Sequence, residues 1–214
     1  MKKYIATVPL APIGEGRGKA ERTRYGTVGN SKLKYEKETV FPVMYLLGGY
    51  VQEGEKAEVI ALCTDLDAPK GNLEALKNEV REFSKEINAD ISVRELMVEN
   101  SEAPSKHLDV FGKLIDMFEN GDELAACITY GTKPTPLVIM MSINFAYRTL
   151  KDCRVESIIY GARDHNSPNK ESCVYDVSNL FHMDEIVRQV ANANVCDPKE
   201  YVMNILNWGN NYGE

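Results

Sequence analysis

Short runs that are apolar on both of their alternating faces recur along this chain, with longer stretches of helical spacing between them. Residues 57–64 (AEVIALCT), 124–129 and 155–161 (VESIIYG) are such runs, and residues 3–8 and 91–98 read as two more. A strand that is apolar on both faces must be covered on both, which is the mark of a parallel sheet. Residues 72–88 place Leu73, Leu76, Val80, Phe83 and Ile87 on one helical face. Residues 105–119 do the same with Leu108, Phe111, Leu114, Ile115 and Phe118. Residues 39–51, 135–150, 184–193 and 198–207 also read as helices, with Gly48 and Gly49 weakening the end of the first. Residues 173–177 read as a further short strand, after a polar loop. The alternation predicts an α/β fold: a Rossmann-like, doubly wound, mostly parallel sheet with helices on both faces. One such domain is expected over residues 1–195. Residues 196–214 are expected to form a helical extension with no separate effector domain.

Open sheets of this kind bind ligands beyond the carboxyl ends of the strands, where the strand order reverses. The first and fourth strands are the two followed by unusual loops. The fourth runs into Thr129-Tyr130-Gly131-Thr132-Lys133-Pro134-Thr135-Pro136. Gly131 allows a sharp turn and close approach to the backbone. Lys133 supplies a point charge for phosphate, and Thr132 a hydroxyl. The two prolines start a helix whose positive end faces the turn, a ready anion site. The fifth strand ends in a similar pair, Tyr160-Gly161-Ala162-Arg163, and Arg163 and His165 are placed to reach the same rim. No Gly-x4-Gly-Lys-Ser/Thr or Gly-x-Ser-x-Gly occurs, and Gly14-Glu15-Gly16-Arg17-Gly18 has the wrong spacing for a dinucleotide turn.

The formal net charge of −7 argues against broad binding of duplex nucleic acid. Residues 15–37 nevertheless hold seven basic side chains, Arg17, Lys19, Arg22, Arg24, Lys32, Lys34 and Lys37, against three acidic ones. No run of eighteen apolar residues is present, so no membrane span is expected and the default location is cytoplasmic. The five cysteines have no zinc or redox spacing, and Cys63 and Cys127 read as buried small hydrophobes. No metal and no cofactor is expected. His107 and His182 fall near helix starts, where capping or packing accounts for them, and Asp65 and Asp67 read as turn and cap residues.

Three segments together resemble one family. They are Thr129-Tyr130-Gly131-Thr132-Lys133-Pro134, Val155-Glu156-Ser157-Ile158-Ile159-Tyr160-Gly161-Ala162 and Val174-Tyr175-Asp176-Val177-Ser178-Asn179-Leu180. A strand ending in Thr-x-Gly, a turn into an apolar helix, a strand ending near Tyr-Gly-Ala and a short Val-Tyr-Asp segment are similar to the CARF domain. That domain is the CRISPR-associated Rossmann fold of type III accessory proteins. Many members carry a histidine where this chain has Tyr130, and a basic residue where it has Lys133.

The resemblance implies a homodimer that binds a cyclic oligoadenylate across its two-fold axis, with tetra-adenylate the expected ring. The ligand would be lined by the first-strand loop (Thr7, Pro9, Leu10) and the fourth-strand loop (Thr129, Tyr130, Gly131, Thr132, Lys133, Pro134, Thr135). Tyr160, Gly161 and Arg163 would complete the site, and the basic segment would form a lid or rim. Two outcomes stay open. One is a metal-independent ring nuclease, in which Lys133 and Thr132 stabilise attack of a ribose 2′-OH on the adjacent phosphate. The other is a sensor subunit acting through a separate effector. A mononucleotide-processing enzyme on the same fold, using for instance Asp65 with His165, is the reading from a different class. A DNA-binding regulator is disfavoured by the lack of a basic recognition helix.

Overall fold

The structure, a computed structural model, describes residues 1–163 and 172–211. The chain divides into two compact units, Met1–Val177 and Ser178–Glu214.

The first unit is α/β and doubly wound. Its strands are β1 (Lys2–Thr7), β2 (Tyr25–Val28), β3 (Lys56–Thr64), β4 (Asp90–Val98), β5 (Glu123–Cys127), β6 (Arg154–Arg163) and β7 (Ser172–Asp176). The helices between them are α1 (Val43–Tyr50), α2 (Asp67–Glu86), α3 (Pro104–Ile115) and α4 (Thr135–Thr149). The seven strands form one sheet in the order β2-β7-β6-β5-β1-β3-β4. All neighbours are parallel except β6 and β7, which run antiparallel. After β1 and the edge strand β2, the chain runs through β3 beside β1 to β4 at the other edge, then crosses back to β5 and continues the other way through β6. The order therefore reverses between β1 and β5, which pair directly, Ile5 opposite Ala126.

Alternation along β1 shows how the two faces are filled. Tyr4, Ala6 and Val8 join the core made with α1 and α2, including Leu46, Leu47, Leu73 and Leu76. Lys3, Ile5 and Thr7 point to the opposite face, where Val110 and Leu114 of α3 and Ile139 and Ile143 of α4 are buried. At the amino end of that face, Lys3 Nζ meets Asp122 Oδ2 at 2.8 Å, with side chains only 3% and 1% exposed. Lys3 also donates to the Met117 carbonyl, and Asp122 accepts from the Glu119 amide, so neither charge is left unsatisfied.

Several elements differ from the sequence reading. The segment expected as a long loop contains β2, which adds to the sheet edge beside β7, and two bridges, Ile13–Ala20 and Thr23–Thr39. Residues 30–41 then run back over α1 and bury Leu33, Tyr35 and Val40. Covered by this strap, α1 buries all of Val43 to Leu47 and has no polar face. Gly48 and Gly49 do not merely weaken the helix; they let the strap approach, because a methyl on either would run into the carbonyl oxygen of Lys34 or Lys32. α2 starts at Asp67 after Leu66, with no side-chain cap, so the capping role expected of Asp65 and Asp67 is not realised. Leu108, expected inward on α3, is 66% exposed; Leu114 is buried as expected, and Val110 is buried with it.

The second unit is a pair of helices, α5 (Ser178–Asn192) and α6 (Pro198–Asn211). α5 starts six residues before the expected 184.

Candidate functional site

The ends of β1 and β5 meet where the winding reverses. The Tyr130 amide donates to the Thr7 hydroxyl at 3.1 Å, across 123 residues of sequence. Beyond this junction lies a cleft floored by Thr7 and Val8. It is bordered by Gly131, Thr132 and Thr135 on one side and by Thr64 and residues 98–101 on the other. Lys106, His107 and Val110 of α3 and Val138 of α4 close its walls. The cleft is narrow, with an interior volume of about 40 Å³.

The turn after β5 is shaped by its own side chains. Gly131 has φ +97°, a left-handed conformation that a larger residue adopts only with strain. Thr135 Oγ1 accepts the Thr132 amide at 3.2 Å and lies 3.1 Å from the Thr132 hydroxyl, while the Thr135 amide donates to the Thr132 carbonyl. This closes the turn onto α4, which has Pro134 at its N-cap and Pro136 in its first turn. The Thr132 N–H and hydroxyl are thus already engaged. Lys133 is exposed, is not among the residues that line the cleft, and has no hydrogen bond or ion pair to any described residue.

Of the residues singled out in the sequence, Thr7, Gly131, Thr132 and Thr135 share the cleft. Others turn away from it. Tyr130 packs against the α1 core and its hydroxyl donates to the Val40 carbonyl at 2.7 Å; burial pushes that phenol well above its usual pKa. The Thr129 hydroxyl lies inside the fold, accepting the Gly161 amide at 2.8 Å and 3.1 Å from the Cys127 sulfur. Gly161 is a packing glycine, since a Cβ there would stand 2.6 Å from Pro42 Cγ. Pro9 is buried and its carbonyl accepts from Asn72 on α2, whereas Leu10 is exposed. Tyr160 is exposed opposite Tyr175 on the β6–β7 ladder, and Arg163 ends β6. His165 lies outside the described residues.

Three of the seven basic side chains in residues 15–37 are tied down. Arg22 pairs with Glu79 at 3.1 Å, Lys37 with Glu86 at 2.6 Å, and Arg24 donates to the Glu36 carbonyl. Glu79 also accepts from the Tyr35 hydroxyl at 3.2 Å. Asp65 pairs with Lys70 at 2.6 Å, outside the cleft.

Sequence reasoning missed two residues. Asn72, buried on α2, donates to the carbonyls of Pro9 and Ala11 and accepts from the Ile13 amide, so it clamps the loop after β1. His107, set down as a capping or packing residue, lines the cleft. Its Nε2 is shielded from solvent and has no hydrogen-bond partner, the nearest carboxylate oxygen, on Glu102, being 3.7 Å away. Leaving such a nitrogen unpaired costs on the order of 1–3 kcal/mol. The signal that finds His107 is the spacing His107, Val110, Leu114, which is i, i+3, i+7 on one helical face.

Among the described residues, no three His, Cys, Asp or Glu side chains converge as metal ligands, and no helix is long and apolar enough to cross a membrane. Cys63, Cys127 and Cys153 are buried free thiols. No protein-family model matches the chain, and no curated protein matches it either.

Proposed function

We propose that this protein binds a cyclic oligoadenylate, with tetra-adenylate the expected ring, across a homodimer, as a sensor or ring nuclease of type III CRISPR antiviral signalling. One observation carries the reading: the loops after β1 and β5 share one cleft at the point where the sheet reverses. A ring with two-fold symmetry takes one such cleft from each subunit, which lets an acidic protein hold a polyanion through two local clusters. Lys133, exposed and uncommitted in the loop after β5, is the phosphate contact. Support for a second copy comes from α4, where Leu137 and Met141, one turn apart, are 65% and 57% exposed.

Incubation with cyclic tri-, tetra- and hexa-adenylate in EDTA, followed by chromatography, tests the reading. Linear product from one ring means a metal-independent ring nuclease. An intact ring that co-elutes with the protein means a sensor. If no ring binds or breaks, a mononucleotide enzyme takes its place. Lys133→Ala is expected to weaken ring binding about tenfold, the worth of one charge-assisted hydrogen bond.

A further inference from the structure

At the amino ends of β1 and β5, the opposite end of the strands from the cleft, lies a second pocket of about 350 Å³, room for a small organic molecule. Tyr4, Glu123 and Glu156 line it from three neighbouring strands, with Lys2, Lys32 and Tyr50 around them. A bulge in β6 brings Glu156 there. Leu124 pairs with Val155 but Ala125 with Ser157, which leaves Glu156 as the extra residue. Ile159 faces the α1 core, so strict alternation would have sent Glu156 to the other face of the sheet. Neither the Glu123 nor the Glu156 carboxylate has an ion pair or hydrogen bond to a described residue. Lys2 is already paired with Glu55 at 2.5 Å and donates to the Tyr50 carbonyl. Lys32 lies over the Tyr50 ring, its nitrogen 5.4 Å from the ring centre. The lining thus sets two uncommitted carboxylates against one uncommitted ammonium. Tyr4 points independently to a ligand. It is 2% exposed, yet its hydroxyl has no hydrogen bond to any described residue. That oxygen is not sealed in, because the shielded, unpartnered side-chain atoms among the described residues are His107 Nε2 and Asn144 Oδ1. The little surface that Tyr4 keeps opens on this pocket. Burial, and then the charges of Glu55, Glu123 and Glu156, push the phenol above its ordinary pKa, so it keeps its proton.

We propose that this pocket binds a small organic molecule through a primary ammonium group, held by the Glu123 and Glu156 carboxylates and the Tyr4 hydroxyl. An ammonium has three N–H donors and no acceptor, which suits acceptor oxygens supplied by three adjacent strands. Two of those bonds are charge-assisted, and the ligand's positive charge offsets the excess of carboxylates. A divalent metal is the poorer fit, since among the described residues no three His, Cys, Asp or Glu side chains converge as metal ligands. Lys32 is free to meet an anionic group at the far end of the molecule where one is present. The site lies away from the cleft after β1 and β5 and stands whether or not that cleft takes a cyclic oligoadenylate.

Calorimetric titration of the full chain at low salt with 1,4-diaminobutane and with lysine tests it. Binding of at least one is expected; tighter binding of lysine assigns its carboxylate to Lys32, and tighter binding of the diamine leaves Lys32 outside the contact. Glu123→Gln and Glu156→Gln are each expected to raise the dissociation constant about tenfold or more, the worth of one charge-assisted hydrogen bond, and Tyr4→Phe about threefold to tenfold. Both glutamates are half-buried and glutamine keeps their volume, so these two variants should melt with the parent and carry the test if Tyr4→Phe unfolds. Tetramethylammonium, which has the charge and no N–H, should not bind. Failure of both amines to bind the parent overturns the proposal, and so does parent-like affinity in both Gln variants. Binding of tetramethylammonium as tight as that of the amines also overturns it, reducing the pocket to a patch of negative potential. Parent-like affinity in a folded Tyr4→Phe overturns the part given to the hydroxyl.

Discussion

The Thr7 hydroxyl receives the Tyr130 amide hydrogen at 3.1 Å and so ties the end of β1 to the end of β5. Thr7→Val keeps the shape and removes the acceptor, leaving a partly buried N–H without its partner. We expect a loss of about 1–3 kcal/mol in urea denaturation, with Thr7→Ser close to the parent. A parent-like Thr7→Val would show that the junction is held by packing alone.

The strap over α1 depends on bare backbone at Gly48. Its added methyl in Gly48→Ala would overlap the Lys34 carbonyl, which is main chain and cannot swing aside. The expected cost is about 1–3 kcal/mol or more. Hydrogen exchange should place the first loss of protection in residues 30–41 and α1; uniform loss over the sheet would contradict that order.

Asp122 and Lys3 form a pair hidden from water, each with further hydrogen bonds. Asp122→Ala strands the lysine charge in the interior, so the destabilisation should reach about 3–5 kcal/mol. Lys3→Met together with Asp122→Leu removes both charges and should recover much of that loss. Thermal melts of the three proteins decide it.

Burial raises the phenol pKa values of Tyr4, Tyr35, Tyr45 and Tyr130 above their ordinary value. The folded protein therefore holds these protons more tightly than the unfolded chain, whose tyrosines titrate near about 10. Their contribution to stability is complete below that pH and is lost as pH climbs through the folded values. Denaturation midpoints should be insensitive to these groups up to about pH 10 and fall above it. Tyr35→Phe should make the fall shallower.

If α4 meets a second copy, charge on its apolar row should separate the two. Leu137→Glu with Met141→Glu is expected to sediment as a monomer and to lose ring binding, with its melting temperature nearly unchanged because both side chains are exposed. A variant that remains dimeric places the interface elsewhere.

The parallel half of the sheet was legible because β1, β3, β5 and β6 carry runs that only a doubly covered strand tolerates. β2 was not legible: its four residues include Gly26, three of them are exposed, and their partner β7 lies far along the chain. The turn at Gly131 could be read from its glycine and prolines, but not that Thr135 would occupy the Thr132 N–H. Of the face read inward over residues 105–119, Leu114 and Phe118 are buried, whereas Leu108 is exposed and Val110 is buried in addition. His107, read from the sequence as a capping or packing residue, lines the cleft, while Leu108 beside it is exposed.

The strap gives the protein an unusual weak point. Most surface segments can be nicked by a protease with little effect on what lies beneath. A cut within residues 30–41 would instead unroof a helix that has no water-facing side, exposing Met44, Leu46 and Leu47 together. Such a nicked chain would keep its sheet yet acquire an adhesive surface. Its failure would show first as turbidity rather than as loss of secondary structure.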